Sequence, residues 1–98
     1  MATLSTHVLD TAAGRPAAGV PVALLDADGV SLAEGVTDAD GRVGSLGGDL
    51  ATGTYRLRFS LDGPFWPEVV ISFRITADEH HHVPLLLSPY GYSTYRGS

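Results

Sequence analysis

Hydrophobic and polar residues alternate with a period of two along most of the chain, the pattern of β-strands with one buried face. In segment 53–61, Tyr55, Leu57 and Phe59 are predicted to face inward and the arginines between them outward. Similar strand-like segments lie at 4–10, 20–26, 31–36, 68–75 and 83–87, and a last one follows Pro89. No segment has the period of about 3.6 residues that a helix requires. The chain is therefore predicted to be all-β, a two-sheet antiparallel β-sandwich of seven to eight strands with little or no helix.

Turn residues separate these segments. Two Asp-Gly turns, at 26–29 and 38–41, indicate antiparallel pairing, and hydrogen bonding within the turns accounts for their aspartates. Neither turn matches the roughly twelve-residue calcium loop, and the glycines of 44–48 are not followed by the lysine of a phosphate-binding loop. Because no linker, repeat or low-complexity segment interrupts the pattern, residues 1–98 are predicted to form a single domain.

The composition narrows the range of partners. The chain has a formal net charge of −5, and its six basic residues are scattered arginines, which argues against binding to nucleic acid or an anionic membrane. It has no cysteine, which excludes disulfides and thiolate chemistry. The first residues enter a strand pattern without a signal-like apolar run, so a cytoplasmic location is expected.

Three of the four histidines are consecutive, at His80, His81 and His82. Successive side chains of a strand face opposite ways, so at most His80 and His82 share one set of ligands. His81 is expected to lie in the core or at a subunit interface, and His80 at a solvated strand end. A zinc site formed by His7, His80 and His82 is the alternative to a site without metal, and we expect no metal and no organic cofactor.

His82 and His7 each fall on a strand face where a polar ring needs a polar neighbour. Taken alone, each is more often a structural histidine than a catalytic one. Together with Arg42, they supply two imidazoles and a fixed cation, the minimum needed to activate water and to hold an oxyanion. Periodicity alone does not show that the three residues meet.

Several segments together carry a resemblance to a known family: 4–10 (LSTHVLD), 14–17 (GRPA), 37–42 (TDADGR), 53–55 (GTY) and 82–98. They resemble the transthyretin-like family, and within it the 5-hydroxyisourate hydrolases, over nearly the whole chain. The most specific part is the terminal Tyr95-Arg96-Gly97-Ser98, which the hormone-carrying transthyretins lack. The resemblance implies a prealbumin-like sandwich and hydrolysis of 5-hydroxyisourate to 2-oxo-4-hydroxy-4-carboxy-5-ureidoimidazoline, a step of urate degradation in purine metabolism.

The resemblance also implies roles for individual residues. The positions that match the family's active site and are expected to be catalytic are His7, Arg42, His82 and Ser98. The positions expected to bind the small-molecule substrate are Tyr95, Arg96 and Gly97. The family implies a homotetramer with active sites in a channel between subunits.

The chain departs from the family's pattern in two places. His81 stands where the family usually has tyrosine, on the face opposite to His82. The connection 61–65 is shorter than in the family, so the family's short helix is expected to be absent. The alternative function is a non-catalytic transthyretin-like binding or carrier module, which segment 14–59 alone also resembles. Such a module does not explain His7, His82 or the terminal tetrapeptide.

Overall fold

The computed structural model describes residues 1–97 of the 98 and contains nine strands in two sheets. The strands are β1 (Thr3–Asp10), β2 (Arg15–Pro16), β3 (Pro21–Asp26), β4 (Ser31–Val36), β5 (Arg42–Val43), β6 (Gly53–Ser60), β7 (Glu68–Ile75), β8 (His80–Ser88) and β9 (Gly91–Thr94). The predicted all-β sandwich is confirmed. The strand number exceeds the predicted seven to eight because β2 and β5 are two residues long, too short to show an alternating pattern.

The first sheet has the order β2-β1-β8-β9, and β5 also pairs with β1. β1 and β8 run parallel, from the pair Thr3 and His80 to the pair Asp10 and Leu87. The prediction of a wholly antiparallel sandwich is therefore wrong for this pair. Turn residues indicate how strands pair with their neighbours along the chain, whereas β1 and β8 come from opposite ends of the sequence. β8 and β9 form an antiparallel hairpin.

The second sheet has the order β4-β3-β6-β7, with all pairs antiparallel. The short connection 61–67 joins β6 to β7 directly, and the Leu61 N–H donates to the Pro67 carbonyl at 2.9 Å. No helix is present within residues 1–97, as expected from the shortened connection. In that part of the chain, no helix is therefore long and apolar enough to cross a membrane.

The core lies between the two sheets and is built from the inward positions of the alternating strands. Its largest fully buried apolar side chains are Phe59, Leu4, Leu24, Leu57, Ile75, Leu85, Val8, Val22 and Val69. Burial of such a side chain stabilises a fold by about 1.5–3 kcal/mol, so each strand turns its apolar face towards the other sheet. On β1, the inward residues are Leu4, Thr6 and Val8. The intervening residues of β1 consequently point away from the second sheet.

Candidate active site

The surface of the first sheet that faces away from the second sheet, here called the outer face, carries most of the predicted site. On β1 it presents Ser5 and His7, because their neighbours Leu4, Thr6 and Val8 are committed to the core. The parallel register makes Ser5 the direct partner of His82 on β8. His7 and His82 therefore share one face, which the sequence pattern alone did not establish.

Arg42 reaches this face through the second Asp-Gly turn. The turn is held by the Asp38 carboxylate, which accepts hydrogen bonds from the Asp40 and Arg42 N–H groups at 2.9 and 3.0 Å. Gly41 adopts φ +75°, and a Cβ there would collide with the Val8 carbonyl oxygen and lie 2.9 Å from Pro16. The turn delivers Arg42 into β5, where it pairs with His7. Directly paired residues lie on the same face of a sheet, so Arg42 flanks His7.

The backbone of the same turn fixes the proton position on His7. His7 Nε2 lies 2.8 Å from the Asp40 carbonyl oxygen, which can accept a hydrogen bond but cannot donate one. Nε2 therefore carries a hydrogen, and in the neutral ring Nδ1 keeps its lone pair. His7 is thus oriented with Nδ1 available to accept a proton.

His82 is oriented by a serine that lies outside the site predicted from sequence. Ser5 Oγ lies 2.7 Å from His82 Nδ1 and also 2.7 Å from His80 Nε2. His80 Nδ1 in turn lies 2.6 Å from Thr3 Oγ1. His80 is exposed, as expected, but its ring is part of this hydrogen-bonded row and is not simply solvated.

Ser5 is a functional candidate that the sequence signals only faintly. It is 9% exposed and polar, and it lies on the outer face two residues before His7. A nearly buried hydroxyl on that face requires a partner. The partner could not be read from local sequence, because His80 and His82 lie 75 and 77 residues away along the chain.

The end of the chain closes over His82. The Gly97 N–H donates to the His82 carbonyl at 2.8 Å, so the chain is held against β8 at Gly97. A Cβ on Gly97 would lie 2.6 Å from His82 Cδ2. Gly97 thus touches the imidazole, whereas the predicted catalytic residue Ser98 lies outside the described residues.

Tyr95 and Arg96 border different parts of the surface. Tyr95 is 58% exposed and borders a cavity of about 240 Å³ whose lining includes Phe73 and His81. Arg96 pairs with Glu79 at 2.6 Å and lines a shallow hollow with His80 and Gly97. Gly97 and Arg96 therefore border the imidazole cluster, and no described hydrogen bond within residues 1–97 links the Tyr95 side chain to it.

His81 occupies the opposite face, as the strand alternation predicts. It is 4% exposed, and its Nδ1 lies 2.9 Å from the Glu79 carbonyl oxygen. It is therefore a core histidine with one satisfied nitrogen. Residues 1–97 contain no group of three or more potential metal ligands arranged around a common point, His7, His80 and His82 included.

The surroundings of His82 favour its neutral form. Burial lowers the pKa of the His82 imidazole, the positive charge of Arg42 lowers it further, and His7 and His80 add to the effect. A hydrogen bond with the backbone of Ser5 partly opposes this shift. The outer face thus combines a neutral imidazole at His82, an oriented imidazole at His7 and the guanidinium of Arg42. An imidazole can accept a proton from water, and the guanidinium can stabilise a nearby negative charge.

Comparison with known proteins places this arrangement in a family. The model of the HIUase/Transthyretin family matches residues 4–97. A 5-hydroxyisourate hydrolase of Caulobacter vibrioides is 51% identical over 115 aligned positions, which cover the whole of both chains.

Solved structures agree with the sequence comparison. The structure of Klebsiella pneumoniae 5-hydroxyisourate hydrolase superposes with a TM-score of 0.89 at 39% identity, covering 98% of this chain and 99% of that one. Sea bream transthyretin in complex with thyroxine superposes with a TM-score of 0.87 at 30% identity, covering 96% and 93% of the two chains. The family match extends from β1 to Gly97, and the chain therefore belongs to the HIUase/transthyretin family.

Proposed function

We propose that this protein hydrolyses 5-hydroxyisourate to 2-oxo-4-hydroxy-4-carboxy-5-ureidoimidazoline, a step of urate degradation. The observation that carries the proposal is the meeting of His7, Arg42 and His82 on the outer face. The similarity to hydrolases along the full chain supports the same assignment. A module that only carries or binds a ligand has no need for two oriented imidazoles beside a guanidinium.

The chemistry follows from the groups present. One of the two imidazoles accepts a proton from water as the oxygen attacks the ring carbonyl: His7 offers Nδ1, and His82 offers the nitrogen that faces away from Ser5. Arg42 stabilises the developing oxyanion and positions the substrate ring. Ser98 completes the catalytic group, and Tyr95, Arg96 and Gly97 contribute to substrate binding. All these groups belong to the chain itself, and no step requires a cofactor.

The proposal includes the assembly and the location. Residues 1–98 act as one domain, four copies associate as a homotetramer, and the outer faces line the channel that holds the active sites. A small sandwich that leaves histidine and arginine side chains on one open face gains stability by covering that face. The absence of cysteine is compatible with the reducing cytoplasm, where we place the enzyme.

The activity is tested by generating 5-hydroxyisourate from urate with urate oxidase and following its ultraviolet absorbance. The protein is expected to accelerate the disappearance of the hydroxyisourate band well beyond its spontaneous decay. A rate equal to spontaneous decay would reject the hydrolase and leave the non-catalytic binding or carrier module.

The assembly is tested separately by sedimentation at micromolar protein concentration. A tetramer is expected. A monomer that retains full activity would contradict a channel shared between subunits, because the site would then be complete within one chain.

A further inference from the structure

Four side chains on β1 and β8 form a continuous row of hydrogen bonds on the outer face. The row runs from His82 Nδ1 to Ser5 Oγ at 2.7 Å, then from Ser5 Oγ to His80 Nε2 at 2.7 Å. It ends at Thr3 Oγ1, 2.6 Å from His80 Nδ1. His82 is half-buried and His80 is exposed, so the row connects the site to the solvated first residue of β8.

The hydrogens available to Ser5 restrict this row to two arrangements. A hydroxyl has one hydrogen, so Ser5 donates to one imidazole and accepts from the other. A neutral imidazole also carries one N–H, so the choice at Ser5 determines the position of the proton on both rings.

In the first arrangement, the His82 Nδ1–H donates to Ser5 and Ser5 donates to His80, which leaves a lone pair on His82 Nε2. In the second arrangement every bond is reversed, and His82 Nε2 carries the hydrogen. Reversal of the row therefore changes His82 Nε2 from a proton acceptor into a proton donor.

We propose that Ser5 is a positioning residue for the reaction, because its hydroxyl couples His82 to His80 in a proton path that switches His82 between general base and general acid. The proposal rests on the hydrolase function proposed above. Hydrolysis of a cyclic amide needs both roles: water must lose a proton as it attacks, and the ring nitrogen must gain one as it leaves.

The protons balance in each direction. When His82 Nε2 accepts a proton from water, its Nδ1 proton passes to Ser5 and the Ser5 proton passes to His80 Nε2. His80 releases its Nδ1 proton to Thr3, and Thr3 releases its own to solvent. When His82 Nε2 gives its proton to the leaving nitrogen, the same transfers run backwards and one proton enters from solvent.

The charges around the row favour such a path. Arg42 and His7 lie beside His82, and a doubly protonated His82 is disfavoured there by burial and by the guanidinium. On the other side, the Glu79 carboxylate with its partner Arg96 lies next to His80 at the exposed start of β8. A path that passes the charge from His82 towards His80 moves it away from the guanidinium of Arg42 and towards a neutralised ion pair and solvent.

Kinetics of single and double variants test the coupling. Ser5→Ala is expected to lower kcat by about tenfold or more with KM within about twofold, and Ser5→Thr, which keeps the hydroxyl, is expected to restore most of the rate. His80→Phe replaces the ring without its nitrogens and is expected to have a similar effect. If the two residues act through one path, the double variant is no more than about twofold slower than the slower single variant.

The matched control is Ser72→Ala, which removes an exposed hydroxyl from β7 in the other sheet and is expected to leave kcat unchanged. If the loss of kcat in the double variant equals the product of the losses in Ser5→Ala and His80→Phe, the two residues act independently and the coupling is wrong. A wild-type kcat in Ser5→Ala would overturn the role of Ser5 altogether.

Nitrogen-15 NMR of the histidine rings tests the path without any substrate. The substitution His80→Phe is expected to change the ratio of the two His82 tautomers, and the same substitution in the Ser5→Ala background is expected to leave them unchanged. If His80→Phe alone leaves the ratio of the two His82 tautomers unchanged, the proton path is wrong. Because this readout needs no turnover, a protein inactive on 5-hydroxyisourate would reject the proposed function while the NMR result still decides the coupling.

Discussion

Gly97 and His82 are in direct contact, and the contact leaves no room for a side chain at position 97. The Gly97 N–H donates to the His82 carbonyl oxygen at 2.8 Å. A Cβ at Gly97 would lie 2.6 Å from His82 Cδ2 and 3.2 Å from both Cβ and Cγ of the same residue. The glycine of the terminal tetrapeptide is therefore required by the position of the imidazole and not by an unusual backbone angle.

We expect Gly97→Ala to lower kcat by roughly 10- to 100-fold, because the added methyl group displaces the His82 ring and misplacement of a catalytic group by about 1 Å can cost that much. The melting temperature should change little, since Gly97 is not part of the core. The matched control is Gly63→Ala, where a Cβ meets no atom within 4 Å. Equal turnover in the two variants would show that the contact does not position His82.

The two imidazoles of the outer face should each be needed for turnover. His7→Ala and His82→Ala are each expected to lower the hydrolysis rate by about 10²- to 10⁴-fold, the usual cost of losing a general acid or base. Near-wild-type turnover in either variant would remove that residue from the mechanism.

His81→Ala is the matched control, since it removes a histidine from the same strand but from the core face. It is expected to lower the free energy of unfolding by about 1–3 kcal/mol, because the buried imidazole and its hydrogen bond to the Glu79 carbonyl are lost. The folded variant should retain its kcat, as measured in the same absorbance assay below its melting temperature.

Features that depend on residues close together in the sequence could be predicted, and features that depend on residues far apart in the sequence could not. β4 and β7 match the predicted segments residue for residue, because alternation and turn residues are local signals. The positions of His7, Arg42 and His82 follow from the family resemblance. Ser5 does not, because its role depends on the parallel register of β1 and β8, which no local pattern specifies. The cavity beside Tyr95 likewise depends on how the end of β9 meets β7.

The pKa of His82 should rise when Arg42 is replaced. Burial is the first cause of its lowered pKa and the charge of Arg42 the second, so Arg42→Gln removes one of the two main contributions. An NMR titration of the His82 ring should show the increase, and Arg58→Gln, in the other sheet, should leave the pKa of His82 unchanged. A titration curve for Arg42→Gln that matches the wild type would contradict the proximity of the two charges.

The same lowered pKa predicts how stability depends on pH. His82 binds a proton less readily in the folded protein than in the unfolded chain. Its protonation therefore does not affect the free energy of unfolding well above the ordinary pKa of 6.5, and it lowers that free energy as the pH falls below this value. The melting temperature of the wild-type protein should therefore fall more steeply below pH 6.5 than that of His82→Gln. Parallel curves would indicate that the pKa of His82 is the same in the folded and unfolded states.

Removal of the last three residues should separate catalysis from stability. Deletion of residues 96–98 removes the hydrogen bond from Gly97 to His82 and the ion pair of Arg96 with Glu79. That ion pair is largely exposed, and such pairs contribute about 0–1 kcal/mol, so the melting temperature should fall by only a few degrees. Turnover should fall strongly, because the deletion uncovers His82 and removes three proposed site residues, and a C-terminal tag should act in the same direction. A truncated protein that folds and hydrolyses 5-hydroxyisourate at the full-length rate would exclude the tetrapeptide from the active site.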